Sequence, residues 1–497
     1  MVLLRSGTPK WWVTRHDRPV RIHPTAATTP AASRTTGVLA TALTAVLLAV
    51  AATVTVVSVT AVGFFDPADA GGIVWCTAVL WALYAAALLL VRRVPPRAAI
   101  VLIVAGSAVL GGSALAGPPN TSTDSARYAW DGIVQLGGVS PYAYVPADDA
   151  LAPFRTDWLF PATVADADGR PQCEGSRVDR TLSIPSFVVT CTSINRPQVN
   201  TIYPPAAELY FAGVRATVPP TVAYLPFQVA GALIALGITV ALVLAMRRRG
   251  IDPRWAALWA WSPFVTTEAV TNSHVDALAA LLLLVATLLL SRAGPGDIRR
   301  GALGGVALGL SIAAKLVPVI GVPAILRRHP FSVTIATVAT FVLLYVPYVA
   351  TTGLAVVGYL PGYLSEEGYD DGTRFALLSI VAPGAGAIVL AAILLLVTAL
   401  LVFRFTDAAE PWLGQTVMIG VTMLVVTPSY SWYALLLVPF IALSRRWEWM
   451  LIPLSLTAQL LVPTLAVARI SFAVAALGIV VGVVLRRRRA NLNLSVS

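Results

Sequence analysis

Five ionisable residues lie beside or between apolar segments of this sequence, where a charge is costly to bury. Glu268, His274 and Asp276 stand between two apolar runs, Lys315 lies inside a third, and Arg469 separates the last two. Each is a candidate for function, because charged residues at membrane depth are retained for a purpose. Alternatively, Glu268 and Asp276 pair with Lys315 or His274 in a polar cluster that only sets their protonation.

Two carboxylates open the longest polar segment between apolar runs. Asp124 and Asp131 are seven residues apart, so they share one face if this stretch is helical. The aromatic residues beside them are Tyr128, Trp130, Tyr142 and Tyr144. A carboxylate next to flat rings indicates a base beside a surface on which sugars stack. Alternatively, Trp130 and Tyr144 anchor the chain at a membrane interface, and Asp131 makes a polar contact within its helix.

The composition indicates which elements position these residues. Of 497 residues, 57% are hydrophobic and 12% are charged, and the mean hydropathy is +0.78. A soluble domain has about 25% charged residues, so this chain is predicted to be a membrane protein. The net charge of +11 comes from short basic clusters between apolar runs, a distribution that argues against nucleic acid as a partner.

The apolar runs divide the chain into five parts. A basic segment, 1–36, precedes three predicted transmembrane helices in 37–117. A large extracytoplasmic loop follows at 118–221, and 222–485 holds further transmembrane helices with a second outer loop at 351–374. Residues 486–497 form a basic tail. The run lengths predict an all-α polytopic bundle of about 12–14 transmembrane helices. Both termini are expected in the cytoplasm, because basic clusters prefer that side of the plasma membrane.

Three predicted pairs of crossings are short hairpins, 255–291, 301–326 and 411–443, whose tips reach the outer side. Basic clusters lie at the ends of these segments. The middle segment could instead be one tilted span, which would place Arg327 outside. A helix from residue 301 to Lys315 rises about 21 Å, less than the ~30 Å hydrocarbon core. Lys315 is therefore expected to line a cavity open to the outer face.

The cysteines of the large loop bear on its stability. Cys173 and Cys191 lie on the predicted oxidising side and indicate a structural disulfide, with two unpaired thiols as the alternative. No ligand spacing such as CxxC or HExxH occurs in the sequence, and neither a metal site nor another cofactor is predicted. The acidic run 365–374 is expected to be a solvated loop, although its carboxylates could hold a divalent cation.

Five motifs between about 118 and 445 resemble those of a known family. They are DSARYAWDGIVQLGGVSPYAY, NTIYPPAAELYFA, NSHVDALAALLLL, GLSIAAKLVPVIGVPAILRR and TPSYSWYALLLVP. In this order they resemble GT-C glycosyltransferases that use polyprenyl-phosphate sugars. More narrowly, they are similar to the glycosyltransferase family 87 mannosyl- and arabinosyltransferases of actinobacterial cell-envelope assembly. The last motif departs from the family pattern, because Tyr433 and Ala434 follow its Ser-Trp pair where many relatives have a histidine.

The resemblance implies an inverting transferase at the outer face of the plasma membrane. It would move a sugar, mannose first, from a polyprenyl-phosphate donor to a glycolipid, lipoglycan or polysaccharide acceptor of the cell envelope. Arabinofuranose is the nearest variant of the transferred sugar. A transporter or lipid flippase is the alternative from another class, but the sequence shows no internal repeat of the kind many transporters have. A scaffolding membrane protein would leave Asp124 and Lys315 without a purpose.

The resemblance also implies roles for individual residues. Asp124 is the expected general base, which takes the proton from the acceptor hydroxyl. The cations available to hold the donor phosphate are Lys315, His274, Arg469 and Arg374. The candidates for sugar or acceptor contacts are Asp131, Tyr128, Trp130, Tyr142, Tyr203, Glu268, Asp276 and Tyr433. Three of the cations have simpler explanations: His274 could cap a helix, Lys315 could extend to the interface, and Arg469 could be an ordinary loop charge.

Overall fold

A computed structural model describes residues 31–495 of the chain. Helices α1 to α3 are Ala31–Val57, Gly71–Val91 and Pro96–Ala114, and α4 is Asp124–Leu136. Strands β1 to β4 follow: Val164–Ala165, Pro171–Gln172, Asp179–Leu182 and Val189–Thr192. Helices α5 to α11 are Pro205–Arg215, Leu225–Arg248, Ala257–Ala260, Pro263–Val265, Asp276–Leu290, Ile298–Ala314 and Val322–Ile325. Helices α12 to α18 are Pro330–Thr352, Leu360–Glu366, Ala385–Phe405, Trp412–Val426, Val438–Ser444, Leu451–Leu461 and Leu465–Ser495.

Long apolar helices dominate this architecture. Within residues 31–495, seven helices are long and apolar enough to cross a membrane, and an eighth results if the bent pair Pro263–Thr271 and Asp276–Leu290 counts as one span. Their outward side chains are exposed, with Leu343 at 69% and Leu477 at 65%. Such surfaces belong in lipid, where a helix satisfies every backbone hydrogen bond internally. The structure confirms the prediction of an all-α polytopic membrane protein.

Within residues 31–495 the long helices number fewer than the predicted 12–14, because the limbs of the three hairpins and the segment of α17 form shorter helices. Helices α10 and α15 have 17 and 15 residues, fewer than the ~20 that span a bilayer core. The partner limb of each hairpin is broken into short turns. Proline stands near each break, at Pro263, Pro318 and Pro439, because it lacks the N–H that a continuous helix needs.

The two ends of each hairpin lie together at one end of the bundle, here named the Arg-rich end. Arg249 donates a 2.5 Å hydrogen bond to the Ser291 hydroxyl, and Arg328 donates one of 2.7 Å to the carbonyl of Ala293. Residues 293 and 328 flank the segment 301–326, so this segment leaves the Arg-rich end and returns to it. Its geometry is that of a hairpin, in which Lys315 lies at the far tip.

The loop region 118–221 stands at the opposite end, built on α4 and α5. Tyr128 of α4 stacks on Phe211 of α5 with ring centroids 4.4 Å apart. At Gly132 a Cβ would lie 2.6 Å from the Phe211 carbonyl oxygen, so only glycine permits this close approach. Strand β3 pairs antiparallel with β4, and a disulfide joins Cys173 to Cys191. Strand β4 ends three residues before Asn195, whose side chain contacts Asp124.

Candidate active site

Asp124 is the first residue of α4, at the base of the loop region. A carboxylate at a helix N-terminus is stabilised by the unpaired amide groups and the helix dipole. Its Oδ1 accepts a 2.5 Å hydrogen bond from the Asn195 side-chain amide, and its Oδ2 accepts one of 3.4 Å from the Tyr203 hydroxyl. The Asp124 side chain is 13% exposed. The carboxylate is thus held from two sides and still accessible.

His274 lies behind Asp124, on the side away from solvent. Its Nε2 is 3.8 Å from Asp124 Oδ2 and 3.1 Å from the Ser122 hydroxyl. The residue before it, Ser273, has a φ of +56°, a left-handed turn that is uncommon outside glycine and marks a constrained site. The imidazole side chain is fully buried, and its ring stacks on Trp432 with centroids 3.9 Å apart.

Glu268 completes this buried cluster. It lies in a single turn of π-helix, Thr266–Thr271, which is the bent part of the first hairpin. Its Oε2 is 3.0 Å from His274 Nδ1 and accepts a 3.2 Å hydrogen bond from the Asn272 amide. Its Oε1 accepts a 2.5 Å hydrogen bond from the Ser431 hydroxyl. Both carboxylate oxygens are therefore satisfied, as a buried charge requires.

Lys315 ends α10 at the tip of the second hairpin, where the backbone becomes extended. Its ammonium nitrogen is 3.3 Å from Asp276 Oδ2, at the start of α9. It also lies 5.3 Å from the centroid of the Tyr203 ring and 5.4 Å from that of Tyr433, both within cation–π range. Tyr203 therefore contacts Lys315 with its ring and Asp124 with its hydroxyl.

Asp124 and Lys315 line one cavity of about 670 Å³. Its polar and aromatic lining comes from the loop region and from the hairpin tips, and includes Ser122, Asn195, Arg196, Asn200, Tyr203, Tyr363, Tyr430, Trp432 and Tyr433. Another part of the lining is apolar and includes Val317, Ile320, Met423, Val426 and Leu460. The cavity thus joins a polar chamber to an apolar surface formed by membrane helices.

An aromatic column crosses the polar chamber. The Tyr430 and Trp432 rings stack with centroids 4.6 Å apart, and Trp432 stacks in turn on His274. Arg196 donates a 3.2 Å hydrogen bond to the Tyr430 hydroxyl and forms a 3.1 Å ion pair with Glu366 of α13. This column and its arginine give the chamber a flat wall with polar edges, a surface suited to carbohydrate.

Two of the predicted phosphate ligands lie away from the cavity. The Arg374 guanidinium is buried, 2.5 Å from both Glu367 Oε2 and the Ser429 hydroxyl. Arg469 donates to the carbonyl of Ala376 at 3.0 Å. Neither is among the residues that line the cavity: Arg374 donates to Glu367 and Ser429, and Arg469 donates to Ala376 and Ser379. His274 does not line it either, since Trp432 covers its ring.

Several predicted sugar contacts are packing residues. Trp130 is buried against Phe160, and the Tyr142 hydroxyl donates to the carbonyl of Tyr203 at 2.7 Å. Tyr128 lies beneath Tyr203 with ring centroids 5.1 Å apart. Of the eight predicted contacts, Tyr203 and Tyr433 line the cavity, whereas Asp276 and Glu268 contact Lys315 and His274.

Asp131 belongs to a separate buried network. Arg127 donates to both of its carboxylate oxygens, at 2.9 and 3.0 Å, and Glu208 accepts a 2.8 Å hydrogen bond from Thr201 nearby. Burial raises the pKa of Asp131, and Arg127 opposes that rise. Burial also raises the pKa of Glu208 well above its usual range, and the Asp131 charge raises it further. Asp131 therefore orients Arg127, which also donates to the carbonyl of Val199 at 3.1 Å, and Asp131 does not line the cavity.

The acidic run 365–374 is held mainly by its own contacts. Asp370 accepts a 2.6 Å hydrogen bond from Ser365, and Asp371 accepts one of 2.6 Å from Thr373. Within residues 31–495, no group of three or more histidine, cysteine, aspartate or glutamate side chains could hold a metal ion. The described part of the chain thus offers the site no preformed metal position.

Seven of the polar and aromatic cavity residues named above are not predicted from the sequence: Ser122, Asn195, Arg196, Asn200, Tyr363, Tyr430 and Trp432. Ser122 lies two residues before Asp124, so proximity to the expected base was an available signal. Trp432 stands beside Tyr433 in a motif that had been recognised. Asn195 and Arg196 follow β4 at a separation of 71 residues or more from Asp124, and nothing in the local pattern indicates that contact.

A family match indicates that this polytopic membrane protein is a glycosyltransferase. Residues 201–428 match the model of glycosyltransferase family 87, and this match confirms the predicted resemblance for that part of the chain. It includes Tyr203, His274 and Lys315, whereas Asp124 and Trp432 lie outside its bounds. No curated protein and no solved structure matches the chain significantly.

Proposed function

We propose that this glycosyltransferase moves mannose from a polyprenyl phosphate to a glycolipid or polysaccharide acceptor of the cell envelope. The observation that carries the proposal is that Asp124 and Lys315 line the same cavity and that Tyr203 contacts both. A carboxylate can take a proton at the point where an ammonium group can receive negative charge. Sugar transfer from a phosphate donor requires both functions.

The chemistry assigned to these groups is a single displacement. The acceptor hydroxyl attacks the anomeric carbon, and Asp124 takes its proton. The bond from the anomeric carbon to the phosphate oxygen breaks, and its electron pair leaves with the phosphate. Lys315 offsets the charge that develops there. Phosphate is a good leaving group, so one carboxylate suffices and the anomeric configuration inverts.

The apolar side of the cavity supports a lipid-linked donor. Val317 and Ile320 belong to the second hairpin, and Met423 and Val426 to α15, all beside the position of Lys315. An isoprenoid chain buried against these side chains would gain about 25 cal/mol for each Å² of apolar surface removed from water. A water-soluble nucleotide-sugar donor would gain nothing from this wall.

The charge distribution supports an outward-facing site. Arginines cluster at the Arg-rich end, where Arg249 and Arg328 join the hairpin bases, and basic clusters prefer the cytoplasm. Asp124, Lys315 and the loop region lie at the opposite end. The N-terminal segment 1–36 falls largely outside the described residues, and the cytoplasmic placement of both termini rests on charge alone.

The test compares sugar transfer by the wild type, Asp124→Asn and Asp157→Asn in nanodiscs with radiolabelled polyprenyl-phosphate mannose and an envelope extract as acceptor. Asp157 is an exposed aspartate of the same loop region, so its variant should transfer at the wild-type rate. Loss of a general base typically costs about 10²- to 10⁴-fold, which is the drop expected for Asp124→Asn. An active Asp124→Asn variant would overturn the assignment of the base. Transfer of arabinofuranose but not mannose would overturn the choice of sugar.

A further inference from the structure

His274 faces Asp124 but is screened from the cavity. Its side chain is fully buried, Trp432 covers one face of its ring, and its Nε2 points toward Ser122 and Asp124. A donor phosphate in the cavity cannot reach it without displacing Trp432. The role predicted for His274 as a phosphate ligand is therefore replaced by one exerted through Asp124.

Glu268 determines which ring nitrogen of His274 carries the proton. The Glu268 backbone carbonyl lies at hydrogen-bond distance from His274 Nδ1, 3.2 Å, and Glu268 Oε2 lies 3.0 Å from the same nitrogen. Two acceptors at Nδ1 keep a proton on that atom, since the tautomer follows the hydrogen bond made by the other nitrogen. Nε2 then carries the lone pair, which accepts a hydrogen bond from the Ser122 hydroxyl at 3.1 Å and lies 3.8 Å from Asp124 Oδ2.

Three segments contribute the side chains that face His274, and two of these segments supply an ionisable group. Glu268 lies in the π-helical turn, Asp124 lies at the start of α4, and the segment at 431–433 contributes the uncharged Ser431 and Trp432. Beyond Asp124 lie the Tyr203 hydroxyl and the Lys315–Asp276 ion pair. A proton on His274 would thus stand between two carboxylates, with the positive charge of Lys315 on the far side of Asp124.

We propose that His274 and Glu268 form a proton relay that clears the general base, an inference that rests on the proposed function. Asp124 takes the proton from the acceptor hydroxyl as the new glycosidic bond forms and the phosphate departs. The proton then passes from Asp124 Oδ2 to His274 Nε2 when substrate binding brings these atoms from 3.8 Å to hydrogen-bond distance, and the Glu268 carboxylate stabilises the resulting imidazolium. It returns through Asp124 to water when the products leave, so the cycle neither gains nor loses a proton beyond the one released by the acceptor.

The buried position of the pair supports a purpose beyond packing. A buried carboxylate and imidazole lose their hydration, and an apolar pair of similar volume is often no less stabilising. Here Ser431 and Asn272 fix Glu268, and Trp432 fixes the imidazole plane. This degree of orientation is what a positioned proton acceptor requires.

The experiment uses the full-length protein in nanodiscs and compares Glu268→Gln, His274→Gln and the double variant with the wild type. His329→Gln is the matched control, because His329 is a buried histidine at the Arg-rich end whose Nε2 lies 2.9 Å from the carbonyl of Gly294. The donor is polyprenyl-phosphate mannose, and kcat, donor KM and the pH dependence of kcat are measured. Thermal melting reports whether each variant is folded.

Each relay variant should lower kcat by about 10- to 100-fold, less than loss of the base itself, with donor KM and the control variant unchanged. The double variant should be no slower than His274→Gln, since residues that act as one unit are not additive. In Glu268→Gln the acid limb of the pH profile should move down by roughly one pH unit, because a stabilising charge is lost. A structural role would change melting and KM without moving that limb.

The outcomes distinguish a failure of the proton relay from a failure of the proposed function, in which Asp124 is the general base. If Asp124→Asn is inactive while His274→Gln and Glu268→Gln match the wild type in kcat and in pH profile, the relay is refuted and the base assignment stands. If Asp124→Asn is active, the proposed base is refuted first. If Glu268→Gln does not fold, the unaltered pH limb of a folded His274→Gln variant would by itself refute the relay.

Discussion

Replacing Lys315 tests whether this residue binds the donor phosphate or only neutralises Asp276. The two groups are 3.3 Å apart, and at an effective dielectric constant of about 20 that separation corresponds to about 5 kcal/mol of attraction. Their desolvation opposes this attraction. Removing only one partner leaves a buried charge and typically costs about 3–5 kcal/mol, so Lys315→Gln alone would lose stability whichever role is correct.

The double variant Lys315→Gln with Asp276→Asn removes both charges and should recover most of the lost stability. If Lys315 holds the phosphate, the double variant still lacks a charge-assisted hydrogen bond worth about 1.5–3 kcal/mol. That loss corresponds to a fall of roughly 10- to 160-fold in kcat/KM for the donor. Radiolabelled donor in nanodiscs provides the rate, and thermal melting of the same samples provides the stability.

A specific result would refute the reasoning. If the double variant melts like the wild type and also has the wild-type kcat/KM, Lys315 serves only as the partner of Asp276. The single variant Asp276→Asn is the companion measurement, since it keeps the ammonium group. It should retain more of the donor kcat/KM than either variant that lacks Lys315.

Three further outcomes are expected. Arg196→Gln should raise the acceptor KM several-fold while changing unfolding free energy by less than about 1 kcal/mol, because its ion pair with Glu366 is largely exposed. Glu208 is buried with a raised pKa, so its contribution to stability is present below its unfolded pKa of about 4.3 and falls as pH rises through its higher folded pKa. In Glu208→Gln the melting temperature should therefore fall less with rising pH above the unfolded pKa of about 4.3 than it does in the wild type. Gly231→Ala places a Cβ 2.0 Å from the Ala269 carbonyl, and should destabilise the protein by about 1–3 kcal/mol and slow transfer by shifting the π-helical turn.

The sequence predicted the fold class well because hydropathy is a local property. Run length and low charge are enough to identify helices such as α6 and α14. Hydropathy alone does not distinguish a long helix from a limb broken at Pro263 or Pro318, so the sequence does not show which of the predicted helices are short. At those breaks an apolar run becomes a hairpin of short segments, and both ends of the hairpin lie at the Arg-rich end of the bundle.

The site was predicted in part for a related reason. Asp124, Lys315 and Tyr203, which line the candidate site, are predictable because a family motif or an unexpected charge singles them out. The positions of Arg374 and Arg469 depend on which distant partner satisfies each guanidinium, and a single sequence does not record that. The same applies to Asn195, whose contact with Asp124 arises only when β4 is brought under α4.

The disulfide has a consequence for how one support of Asp124 is held. Cys191 lies four residues before Asn195, which holds Asp124 through a 2.5 Å hydrogen bond. The covalent link therefore anchors the strand that delivers one of the two supports of the base. A newly made chain whose cysteines are still thiols holds that support through the β3–β4 hairpin and the contacts around it. Oxidation of the two cysteines thus adds a covalent constraint to a strand that the hairpin already holds, and reduction would leave Asn195 positioned by non-covalent contacts alone.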